Sequence, residues 1–143
     1  MYAVADAESS VDPKKLHHNP AVKGKHGHVI HPPSTDFGVM QINRSNIGGT
    51  VKDANGHPFK IGKEVERDWK ANARAGVALL APAYGLAEVE QGPSATAEDH
   101  AQQAYSQYNS GKPRMRDRYL KQRPDGMPEN GADRNFLERY RAW

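Results

Sequence analysis

Met1, Val4, Ala5 and Glu8 fall at i, i+3, i+4 and i+7, one face of a helix that begins at the first residue and that Pro13 is expected to stop. A helix that opens without the usual polar cap points to a domain, spanning residues 1–143, cut from a longer chain at its N-terminus. From Lys14 to Ser34 the periodicity disappears, and Pro20, Pro32 and Pro33 among basic and histidine residues predict an irregular surface loop. Thr35 to Asn43 has β-favouring character around Gly38, and Val51 to Lys60 carries an Asn55-Gly56 pair suited to a tight hairpin turn. Helical spacing returns over Glu64 to Ala81, with Val65, Trp69, Ala73, Gly76, Val77 and Leu80 predicted on the buried stripe. A capping box at Thr96 to Asp99 opens another helix carrying Ala101, Ala104, Tyr105 and Tyr108, ended by Gly111 and Pro113. Phe136, Leu137 and Tyr140 mark a short closing helix after an Arg-, Pro- and Gly-rich stretch, partly extended, from Lys112.

Composition narrows this picture. At 143 residues the chain is long enough for one core and too short for two. Val, Leu, Ile and Phe together number only 22, which would signal disorder if the net charge were large. The net charge is only +3, and 13 Gly with 10 Pro indicate many turns, so a loop-rich globule is expected. Zero Cys removes disulfides, thiolate metal sites and a Cys nucleophile. No apolar run is long enough to span a bilayer, and no secretory leader opens the chain.

Glu8 is the residue that opens a chemical question, because it lies on the Val4 and Ala5 stripe. A carboxyl placed against a core is desolvated, which favours its neutral form and equips it as a general acid. The plainer alternative is a helix-end Glu that caps or pairs with a Lys. His26 and His28 could in principle start a metal site, but a proline-flanked loop without Cys offers no converging ligand set, so neither metal nor cofactor is expected. The basic run from Lys112 to Arg123, with Tyr119 within it, reads as a solvated face, a wall-polymer contact or a nucleic-acid patch.

Three motifs occur in order: "ESSVDP" from Glu8 to Pro13, "DFGVMQIN" from Asp36 to Asn43, and "AYSQYNSG" from Ala104 to Gly111. With "NARAGVALL" from Asn72 to Leu80 they resemble the lytic transglycosylase (SLT) and goose-type lysozyme-like family over about three-quarters of the chain. The resemblance implies a mostly α, α+β lysozyme-like fold: a single helical domain with a small β-hairpin region and a groove for peptidoglycan glycan strands. It implies Glu8 as catalytic acid, Gln41 lining the groove, Tyr108 touching or orienting Glu8, and Asn109 holding that turn. Asn43 is open between a groove contact and a turn-forming residue. The string around Asp36 is also similar to the segment of animal-type lysozymes that carries a second catalytic carboxylate. Hydrolysis by Glu8 and Asp36 therefore stands beside transglycosylation by Glu8 alone, with a 1,6-anhydro product. The rivals from other classes are a non-catalytic glycan-binding module and a nucleic-acid-binding domain. The reading adopted is a peptidoglycan-cleaving monomer without cofactor, nucleic acid or membrane span, working in the periplasm, at the cell wall or on a phage particle.

Overall fold

The structure, a computed structural model, describes residues 1–110, 127–128 and 130–143. The expected helix end at Gly111 and Pro113, the partly extended stretch and the basic run of Lys112 to Arg123 lie outside the described residues, apart from the last few positions before Asp133.

Helix α1 (Tyr2–Ser9) buries Ala3, Val4, Ala5 and Ser9. It ends four residues before Pro13, which corrects the expected stop. Ser10 turns left-handed at φ 55°, its N–H donates to Asp6 O, and the Val11 N–H donates to Ala5 O. That pair of bonds closes the helix without help from proline. The Ser9 hydroxyl lies 2.9 Å from both Ala5 O and Val39 O and so ties the helix end to the turn at 38–41.

The segment 14–34 is paired, not the irregular loop that was expected. Strand β1 (Leu16–Asn19) lies antiparallel to β4 (Ser34–Phe37), and between them β2 (Val22–Lys23) pairs with β3 (Val29–His31). Pro20, Pro32 and Pro33 sit in the gaps between these strands, where a missing N–H costs no ladder bond. Adding β5 (Ile42–Asn43) beyond β4 makes a three-stranded sheet in which His17, Asp36 and Asn43 are direct cross-strand neighbours. The Asn55-Gly56 hairpin forms as expected, joining β6 (Thr50–Lys52) to β7 (Pro58–Lys60) with Gly56 at φ 78°.

Helix α2 (Trp69–Gln91) runs well past the expected end at Ala81, because Pro82 is accommodated within it. Its predicted stripe is only partly right. Trp69 and Val77 are exposed, while the buried positions are Asn72, Ala75, Gly76, Ala78, Ala83 and Ala87. The helix is packed through its small residues because α3 (Ala97–Ser110) lies close along it. Thr96 and Asp99 form the expected reciprocal cap of α3 at 2.8 and 3.2 Å. Helix α4 (Gly131–Ala142), capped by Asn130, stacks Phe136 on Tyr105 at 4.3 Å between ring centres and packs against α1. Val4, Met40, Ile42, Ile61, Val65, Ala75, Tyr105 and Phe136 form the core joining helices and sheet. The described residues thus make the α+β lysozyme-like arrangement expected, with four helices and small antiparallel sheets.

Candidate active site

The end of α1, the face of β4–β5 and the end of α3 meet around a groove of about 780 Å³. All six residues singled out in the sequence, Glu8, Asp36, Gln41, Asn43, Tyr108 and Asn109, line it. The turn that carries Gln41 into it is organised by one buried side chain. Asn72 of α2, fully buried, accepts from the Met40 N–H at 2.9 Å and donates to Phe37 O and Val65 O at 2.7 and 3.0 Å. These bonds hold the tight turn between β4 and β5, in which Gly38 has φ 69° and a Cβ would come within 2.7 Å of Asn72. The same turn places Gln41 at φ 47°, with its amide donating to Gly38 O and Lys15 O at 2.8 and 3.2 Å.

Glu8 stands in the last turn of α1 with its Oε1 buried and without a hydrogen-bond partner. Burial raises its pKa above 4.5; hydrogen bonding by Tyr105, then by Asn109, acts in the opposite direction. The charge of Asp36 adds to the upward shift, and His17 opposes it. A carboxyl held towards its neutral form beside an open groove has the property a general acid requires.

Tyr108 lies close enough to Glu8 that, after burial, the Glu8 charge is what pushes its pKa upward, but its hydrogen bond goes elsewhere. Its hydroxyl donates to Met40 O at 2.6 Å, so it ties α3 to the β4–β5 turn. The phenol hydrogen-bonded with Glu8 is Tyr105, one helical turn earlier, and burial followed by the Glu8 charge pushes the Tyr105 pKa far upward. The sequence placed Tyr105 on the same helix face as Tyr108 without giving it a role at the site.

Asp36 has both oxygens occupied: Asn43 donates to Oδ1 at 2.6 Å and Asn19 to Oδ2 at 2.8 Å. Asn43 serves both proposed uses at once, lining the groove while its Oδ1 accepts from the Ser45 N–H at 2.9 Å to cap the turn Arg44–Asn46. Asn19 and Gln107 also line the groove and were missed. The signal for Asn19 is the β1–β4 register, which local patterning does not show, and Gln107 has a buried Oε1 without a partner.

A second cavity, of about 660 Å³, lies between Phe59, Val65 and Trp69. Its carboxyl residues Glu64 and Asp68 are exposed, and Asp68 caps α2, so nothing there matches the buried acid. Among the described residues no group of three or more His, Asp or Glu is arranged to hold a metal ion, and no helix is long and apolar enough to cross a membrane.

The sequence profile of the transglycosylase SLT domain matches residues 1–127. The chain belongs to the SLT transglycosylase family. Members of this family are peptidoglycan lytic transglycosylases, lysozyme-like glycosidases that act on the cell wall, and this SLT domain is therefore an enzyme of glycan strands. Comparison with curated proteins and with solved structures gave no match.

Proposed function

We propose that this SLT domain cleaves the β-1,4 bond between N-acetylmuramic acid and N-acetylglucosamine, with Glu8 as acid and then base and a 1,6-anhydro sugar as product. The observation that carries this reading is the buried, partly unsatisfied carboxyl of Glu8 at the groove. Protonated, it gives its proton to the leaving glycosidic oxygen as the bond from C1 breaks. The resulting carboxylate then takes the proton of the 6-hydroxyl of the same muramoyl residue, whose oxygen closes onto C1. Glu8 is thereby reprotonated and no water is consumed.

The hydrolytic alternative draws on one observation, that Asp36 shares the groove and its charge bears on Glu8. Against it, two side-chain amides already hold the Asp36 oxygens, which lowers the nucleophilicity of that carboxylate. Mass spectrometry of the muropeptides released from purified cell walls separates the two. Anhydro-ended products are expected, and reducing-ended products, heavier by one water, would overturn the transglycosylase assignment. Glu8→Gln is expected to fold, bind glycan and lose ~10²- to 10⁴-fold in rate. A variant retaining more than roughly a tenth of the rate would remove Glu8 from the mechanism.

A further inference from the structure

The arm from Lys14 to Ser34, which forms β1 to β3 and stops where β4 begins, carries chemistry that the cleavage reaction does not use. From Lys14 to Ser34 there is no Asp or Glu, while Lys14, Lys15, Lys23 and Lys25 contribute +4, so the rest of the chain is left at −1 against a total of +3. His17, His18, His26, His28 and His31 add further hydrogen-bonding groups to the same segment. All four lysines are exposed and none forms an ion pair with a described residue.

This charge is held on built structure. At the tip, the Gly24 N–H donates to His28 O at 2.8 Å and the Gly27 N–H to Gly24 O at 3.0 Å, with Gly27 at φ 75°. The His28 ring packs against Gly24 so closely that a Cβ there would lie 2.5 Å from it. Lys23 thus precedes a defined turn and Lys25 lies within it. At the base, Asn19, His31, Pro32 and Ser34 form part of the groove wall, so the segment that carries the lysines also borders the groove. Val29 and Ile30 are each about half exposed, but as neighbours in one strand they project to opposite faces.

We propose that the acid-free arm is a second contact surface of the enzyme, holding the carboxylates of the peptides that branch from a glycan strand lying in the groove. The proposal rests on the groove binding peptidoglycan and adds what it recognises beyond the sugar chain. Free carboxylates are the anionic groups that such a strand carries, and exposed lysines on a segment that borders the groove are complementary to them.

The test is the binding of the Glu8→Gln chain, with and without Lys23→Gln and Lys25→Gln, to sacculi freed of accessory polymers and to the same sacculi stripped of peptides by an amidase. The two lysine changes are expected to weaken binding to intact sacculi roughly three- to tenfold at low salt. The difference should disappear near ~0.5 M salt and be absent on stripped strands. No loss on intact sacculi, or an equal loss on stripped ones, would overturn the proposal. So would lysine-dependent binding to phosphatidylglycerol vesicles without any on sacculi. Turnover of stripped strands by the chain with Glu8 intact tests the groove separately: it should be unchanged by the lysine substitutions, and its complete absence would count against the catalytic reading alone.

Discussion

At the scale of single residues, the environment of Glu8 makes opposite predictions for two neighbours. Hydrogen bonding by Tyr105 lowers the pKa of Glu8, whereas the charge of Asp36 raises it. Tyr105→Phe should therefore move the alkaline limb of the pH profile of kcat/KM to higher pH, and Asp36→Asn should move it to lower pH. Limbs that shift in the same direction, or not at all, would show that neither group governs the acid. If the 6-hydroxyl is the nucleophile, Asp36→Asn should also keep the rate within about tenfold of the wild type, since no second carboxylate is needed. Tyr108→Phe belongs to a different category, because its hydroxyl is spent on Met40 O. It should cost ~0.5–1.5 kcal/mol in urea unfolding while leaving the position of the pH profile unchanged.

At the scale of elements, the turn between β4 and β5 is organised by a helix residue far away in sequence. Asn72→Ala would leave the Met40 N–H and the carbonyls of Phe37 and Val65 without their partner. Each such loss costs about 1–3 kcal/mol, so urea unfolding should show a destabilisation of roughly 3 kcal/mol or more. Glycan affinity should fall with it, since Gln41 and Asp36 are placed by the same turn. A loss below about 1 kcal/mol would mean that the turn holds itself.

For the whole molecule, the buried acid links catalysis to stability. The pKa of Glu8 is raised in the folded protein, so folding favours its protonated form. That contribution is fully present below the unfolded value of 4.5 and is lost as the pH rises through the raised folded value. Above that window the folded state holds a desolvated carboxylate. Glu8→Gln, which cannot ionise, should therefore unfold at higher urea than the wild type at neutral pH, with the advantage shrinking as the pH is lowered towards 4.5. Urea midpoints of both proteins across pH 4–8 measure this. An inactive variant that is also less stable at neutral pH would mean that Glu8 is held by favourable contacts and is not strained by burial.

Local chemistry in the sequence determined the helices at either end, the capping box at Thr96, the Asn55-Gly56 hairpin and the ordered motifs that bring Glu8, Asp36 and Gln41 into consideration. These are features whose signal lies within one or two turns of chain, where spacing and turn residues act directly. Tertiary packing decided the rest. Along α2 the buried face is made of Asn72, Gly76 and alanines and not of Trp69 and Val77, because the β4–β5 turn and α3 approach it closely, as Asn72 on Phe37 O and Gly76 against Met40 show. The segment 14–34 becomes a paired arm because its partners lie across a hairpin, as Leu16 opposite Phe37 shows. Tyr105 hydrogen-bonds with Glu8 while the Tyr108 hydroxyl, which also feels the Glu8 charge, donates to Met40 O, because the placement of α3 against the turn at Met40 sets which phenol meets which oxygen. Residue spacing places side chains on a common face, but only the packing of that face against other elements selects their partners.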